Sequence, residues 1–90
     1  MEWKRFWWSE EKNQLLLEER GVTIPDLIQA AKDGGYVTTL KHPKRSNQRV
    51  LVIRMNDYVY AVPFVTDDFF IKTAFPSRKL TKKYGEGKDD

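Results

Sequence analysis

The sequence predicts an α+β fold in which two N-terminal helices pack on a mostly antiparallel meander sheet and a short basic helix closes the chain. Apolar residues recur at helical spacing before residue 34, whereas β-branched and aromatic residues alternate with a period of two from residue 36 onward. The 90 residues correspond to one domain. Because 40% of them are hydrophobic, the chain can bury one modest core.

Both N-terminal helices carry start and stop signals. Ser9 precedes two glutamates and is suited to cap the first helix, which Gly21 ends. Thr23 begins the second helix, and Asp26 three residues later completes a variant of the capping box. The predicted apolar positions are Leu15, Leu16 and Leu17 on the first helix and Ile24, Leu27, Ile28 and Ala31 on the second.

Four strands are predicted after the helices, at residues 36–42, 48–55, 58–65 and 69–75. Short connections make consecutive strands antiparallel, and Asn56-Asp57 is typical of a two-residue hairpin turn. Pro63 indicates a bulge or an unpaired edge in the third strand because proline has no N–H to donate. For the same reason Pro76 is expected to stop the fourth strand.

Three tryptophans, Trp3, Trp7 and Trp8, lie within the first eight residues. We interpret this segment as a short strand or an extended arm that packs onto the domain. Core packing is the favoured role because a small domain needs its large side chains inside. The alternative is a stacking platform for nucleic-acid bases.

The composition limits the classes of function. The chain has no cysteine, so disulfides and thiolate metal sites are excluded, and its single histidine cannot build a His-rich metal site. We expect no metal, no cofactor and no membrane association, and a soluble cytoplasmic protein. The net charge is +3, and residues 34–66 hold five Lys or Arg against one acid, Asp57. This distribution indicates a basic face for nucleic acid or for an acidic protein.

The last predicted helix follows Ser77 and runs through Tyr84. Its cations share one face: Arg78, Lys79, Lys82 and Lys83. Cations in the first turn oppose the helix dipole, so a sequence selected for stability alone would carry acids there. The conflict indicates an anionic partner, most simply a phosphate backbone, with a solvated helix end as the alternative.

A second basic cluster lies between the first two strands. Its cations, which can neutralise phosphates, are Lys41, Lys44, Arg45 and Arg49. His42 belongs to the residue type best suited to proton transfer near neutral pH. The alternative is a solvated hairpin loop in which Pro43 merely holds His42 in an extended conformation.

Two segments of the chain resemble BrnT-type toxins. Residues 8–13, Trp-Ser-Glu-Glu-Lys-Asn, and residues 20–24, Arg-Gly-Val-Thr-Ile, resemble that family's opening, in which Gly-Val-Ser/Thr follows a Trp, a capping residue and a Lys. Residues 71–83 resemble its closing strand and Arg-Arg/Lys-Ala-Thr-Arg-Arg helix. The matching positions are Arg78, Lys79, Thr81, Lys82 and Lys83, with Leu80 where Ala is usual.

The resemblance implies a RelE-like toxin domain over residues 1–85. The polar composition of residues 86–90 predicts a mobile tail. It implies a type II toxin that cleaves RNA without metal, by attack of the ribose 2′-OH, and that a cognate antitoxin neutralises. Arg78 and Lys79 would then stabilise the phosphate, and His42 and Tyr84 are the candidates for proton transfer. Arg45, Arg49, Lys82 and Lys83 would contact the RNA. The alternative is a non-catalytic nucleic-acid-binding or protein-interaction domain that kept the toxin fold.

Overall fold

The computed structural model describes residues 1–85, and the tail predicted at 86–90 lies outside them. Within residues 1–85, three α-helices and four antiparallel strands follow the predicted order, and the strands form a sheet in the order β1-β2-β3-β4. The α+β meander is therefore confirmed. The elements are α1 Glu10–Arg20, α2 Ile24–Ala30, β1 Tyr36–Lys41, β2 Gln48–Met55, β3 Tyr58–Val65, β4 Phe75–Pro76 and α3 Arg78–Tyr84.

The predicted signals place the two N-terminal helices. Ser9 caps α1 through its side chain, and Gly21 ends α1 in the left-handed conformation at a φ of 75°. Thr23 and Asp26 form the predicted capping box, each side chain accepting a hydrogen bond from the backbone N–H of the other residue. No helix within residues 1–85 combines the length and apolar character that crossing a bilayer requires.

The core lies between α1, α2 and one face of the sheet. The buried side chains of this core include Leu16, Ile24 and Leu27 from the helices and Leu51, Ile53, Val62, Phe64 and Ile71 from the sheet side. The predicted stripe of three leucines on α1 is wrong, because Leu15 and Leu17 are 47% and 42% exposed while Leu16 is buried. At 3.6 residues per turn, three consecutive residues point in different directions.

The two central strands match the prediction at every residue. Asn56 and Asp57 connect them with φ angles of 56° and 64°. Positive φ at both central residues is what a two-residue type I′ turn requires, and Asn and Asp tolerate it better than most side chains. This tight turn sets the register of β2 against β3, in which Met55 pairs with Tyr58.

The fourth strand is shorter than predicted. Ile71 makes an isolated bridge with Phe64, residues 72–74 leave the ladder, and β4 comprises Phe75–Pro76 alone within the described chain. The predicted extent, residues 69–75, is therefore wrong. As predicted, the strand ends at a proline.

Pro63 explains the interruption. It pairs in regular register with Val50 of β2, so neither the bulge nor the unpaired edge predicted for Pro63 occurs on that side. On its other side its carbonyl accepts a hydrogen bond from the Lys72 N–H at 2.9 Å. Because proline has no N–H, it cannot donate to the same segment, and the ladder lapses beside it.

The N-terminal arm packs onto the domain, as expected. A short helical turn, Trp3–Arg5, precedes Trp7, which pairs in parallel with Phe70 at the sheet edge. Trp3 and Trp8 pack against the core, whereas Trp7 is 52% exposed. The expectation of core packing therefore holds for two of the three tryptophans and is wrong for Trp7.

Candidate nucleic-acid interface

Three hydrogen bonds fasten α3 to the sheet. The Ser77 N–H donates to the Val59 carbonyl at 2.9 Å, and the Val59 N–H donates to Thr81 Oγ1 at 2.9 Å. At the other end of the helix, Arg54 Nη1 donates to the Tyr84 carbonyl at 3.0 Å. The Thr81 hydroxyl thus replaces a strand carbonyl after β4 has ended, and Arg54 satisfies a helix C-terminal carbonyl that has no intrahelical partner.

These anchors determine which side of α3 faces solvent. The half-buried residues toward the sheet are Ser77, Leu80, Thr81 and Tyr84. The exposed residues are the four cations Arg78, Lys79, Lys82 and Lys83, so the predicted shared face is confirmed. The first turn contains no acid, and within residues 1–85 neither Arg78 nor Lys79 has a hydrogen-bond or ion-pair partner. The unfavourable interaction of these two charges with the helix dipole is therefore not offset by a nearby acid at that end of α3.

We expect Thr81→Val to lower the free energy of unfolding by about 1–3 kcal/mol. The valine keeps the shape of threonine but leaves the N–H of the fully buried Val59 without an acceptor. Urea unfolding followed by circular dichroism measures the loss. Thr73→Val, at an exposed position, makes the same chemical change and should stay within about 0.5 kcal/mol of wild type. Equal losses in both variants would contradict the structural role of the Thr81 hydroxyl.

His42 organises its own loop. Its Nδ1 accepts hydrogen bonds from the backbone N–H groups of Lys44 and Arg45, both at 3.1 Å. Its own N–H donates to the Gln48 carbonyl at 3.4 Å, at the start of β2. Arg54, which contacts α3, lies six residues along that strand, or about 20 Å away. The structure therefore does not bring His42 together with the α3 cations.

The two arginines predicted to contact RNA from the sheet also lie away from α3. Arg45 is exposed in the β1–β2 loop. Arg49 pairs directly with Lys41 in β1 and with Phe64 in β3, which places it on the core-facing side of the sheet, near the strand end. Like charges directly opposite each other are unfavourable in a sheet. The cations predicted for the site thus form two separate groups, one on α3 and one around residues 41–49.

Arg54 was missed by the sequence reasoning, although an arginine in the run Val-Leu-Val-Ile-Arg-Met is itself a signal. By alternation it points away from the core-facing Ile53, and from there it reaches the end of α3. A pocket of about 440 Å³ adjoins it, between the end of α2, the β2–β3 turn and Gly85. The pocket also contains the exposed side chains of Asp33 and Asp57.

A smaller groove of about 190 Å³ lies between α1 and residues 73–75. Leu15 and Phe75 line it and are 47% and 42% exposed. Charged side chains at its border are Lys12, Glu19 and Arg20. An exposed apolar pair beside a sheet edge is a feature of protein-interaction surfaces.

Comparison of the chain with protein-family models, with curated proteins and with solved structures finds no match. Among residues 1–85, no three His, Cys, Asp or Glu side chains form a group that could hold a metal ion. Function is therefore inferred from the chain's own residues.

Proposed function

We propose that this protein is the toxin of a type II toxin–antitoxin system, a RelE-like ribonuclease that binds cytoplasmic RNA through α3 and cleaves it without metal. The observation that carries the proposal is the exposed cationic face of α3, where Arg78 and Lys79 occupy the first turn with no acid beside them. An RNA phosphate is the anion that such a face suits best. The same helix carries the segment that resembles the closing motif of BrnT-type toxins.

The proposed reaction is an intramolecular transesterification. The ribose 2′-oxygen attacks the adjacent phosphorus while a base takes its proton, and the 5′-oxygen leaves with a proton from an acid. Arg78 and Lys79 would stabilise the charge that develops on the non-bridging oxygens. Tyr84 is the proton-transfer candidate that α3 itself carries, whereas His42 lies at the opposite end of β2 and uses Nδ1 within its loop.

Incubation of the purified protein with single-stranded RNA in EDTA tests the proposal. We expect fragments that end in 2′,3′-cyclic phosphate and begin with a 5′-hydroxyl, separated by gel electrophoresis and identified by mass spectrometry. Raising the salt concentration should slow cleavage, because binding depends on phosphate contacts. If the RNA stays intact although the protein is folded and carries no bound partner, the proposed ribonuclease activity is wrong.

A non-catalytic domain that kept the toxin fold is the second candidate. It is favoured by the position of His42 at the far end of β2 from the α3 cations. If the domain binds nucleic acid, binding should be salt-sensitive and leave no cleavage products. If it binds a protein, such as an antitoxin, the groove with Leu15 and Phe75 is an apolar surface that suits such a partner, and RNA affinity should be negligible.

A further inference from the structure

Trp7 is unusual in being both exposed and rigidly held. Its side chain is 52% exposed, yet Nε1–H donates to the Asp68 carbonyl at 2.9 Å and its ring lies 4.5 Å from that of Phe70. Its backbone N–H donates to the Phe69 carbonyl, and its carbonyl accepts from the Ile71 N–H at 2.8 Å. The indole therefore presents a fixed aromatic surface to solvent, with most of its rotamer freedom already lost on folding.

The neighbours of Trp7 give this surface its charge. Ile71 is buried in the core, so Phe70 and Lys72 on either side of it point to the opposite side of the sheet. The exposed Lys72 has its Nζ 6.0 Å from the centre of the Phe70 ring. Asp68 is the acidic neighbour, and its carboxylate is held by the Phe70 N–H at 3.1 Å. We call Trp7, Phe70 and Lys72 the aromatic platform.

The aromatic platform and α3 share one side of the sheet. Arg54 reaches α3 from the side opposite the core, which is also the side to which Phe70 points. The Phe70 carbonyl accepts a hydrogen bond from the Val65 N–H at one end of β3. Near the other end of β3, Val59 is hydrogen-bonded to α3. Six residues of strand separate these points by about 20 Å, which corresponds to roughly six stacked nucleotides.

We propose that the aromatic platform stacks an unpaired base of single-stranded RNA whose phosphates also contact α3. Unpaired bases stack on exposed aromatic side chains, and a cation beside the ring attracts the adjoining phosphate. The bases of a duplex are already stacked on one another and are not offered to a side chain in this way. The inference rests on the proposed RNA binding, and it assigns the substrate class as single-stranded RNA with a footprint of about six or more nucleotides.

The test measures binding rather than cleavage. Fluorescence anisotropy compares a 2′-O-methyl uridine decamer, which cannot be cleaved by 2′-OH attack, with an abasic decamer of the same phosphate count. We expect Trp7→Ala to weaken binding of the uridine decamer about 5- to 100-fold and to leave binding of the abasic decamer unchanged. Trp7→Phe, which keeps an aromatic ring, should retain most of the affinity. Lys72→Gln should weaken both decamers by a similar factor.

Three other binding results would count against the aromatic platform. Equal weakening of both decamers by Trp7→Ala would show that Trp7 supports the fold and does not stack a base. Unchanged affinity for both would place the RNA elsewhere, and affinity for a protein partner without affinity for RNA would overturn the inference. If Trp7→Ala weakens binding of the uridine decamer alone but wild-type protein does not cleave RNA, the ribonuclease fails and the aromatic platform stands. If it cleaves RNA while Trp7→Ala binds like wild type, the platform alone fails.

Discussion

Replacing Arg78 and Lys79 together by alanine is expected to lower kcat/KM for RNA cleavage by about 100-fold or more. Removing one preorganised group that stabilises a developing oxyanion typically costs that much, and here two would be removed. The fold should persist, because both side chains are exposed and make no hydrogen bond or ion pair within residues 1–85. The helix itself should become slightly more stable, because two cations that oppose its dipole are removed from its first turn. Initial rates at several RNA concentrations measure the change.

A matched control separates this effect from loss of general charge. Lys12→Ala with Arg20→Ala removes two positive charges as well, from exposed positions on α1 beside the apolar groove rather than from α3. That variant should cleave RNA like the wild type. Full activity in the Arg78 and Lys79 variant would remove both residues from the mechanism. Equal loss in the two variants would mean that net charge matters and the position of the charge does not.

Replacing Leu27 by alanine is expected to lower the free energy of unfolding by about 2–5 kcal/mol. The side chain is fully buried between α2 and the sheet, so the truncation removes apolar contacts and leaves a cavity that the neighbours fill incompletely. For a domain of this size such a loss is a large part of the total stability. Urea unfolding monitored by tryptophan fluorescence measures it.

Leu15→Ala supplies the matched control for the core. The chemical change is the same, but Leu15 is 47% exposed, so we expect a loss within about 0.5 kcal/mol. Comparable losses for Leu15 and Leu27 would show that α1 turns a different face to the sheet. A small loss for Leu27→Ala would contradict the position of the core.

Much of the fold follows from local signals in the sequence. The Thr23–Asp26 capping box, the glycine at position 21 and the Asn56-Asp57 turn each act within a few residues, so spacing alone predicts them. The extent of the fourth strand was predicted wrongly because it depends on Pro63, a residue of the neighbouring strand. A pattern within residues 69–75 carries no information about a missing donor across the sheet.

In the candidate site, too, features set by local spacing were predicted and features set by distant contacts were not. The shared face of the α3 cations follows from helical spacing, which a sequence shows directly. The role of Arg54 depends on a hydrogen bond to Tyr84, 30 positions away, and the exposure of Trp7 depends on where the arm meets Phe70. Composition cannot distinguish Trp7 from Trp3, because both occur in the same aromatic segment and differ in what covers them.

The hydrogen bond between Thr81 and Val59 covers part of a strand edge. Where β4 ends, the backbone of β3 would present an unpaired edge, and such edges recruit strands from other molecules. The short α3 covers this edge at Val59, through the Thr81 hydroxyl on one side and the Ser77 N–H on the other. Local unfolding of α3 would therefore expose a strand edge that can pair with another chain. The helix that carries the exposed cations thus also covers the edge of the sheet.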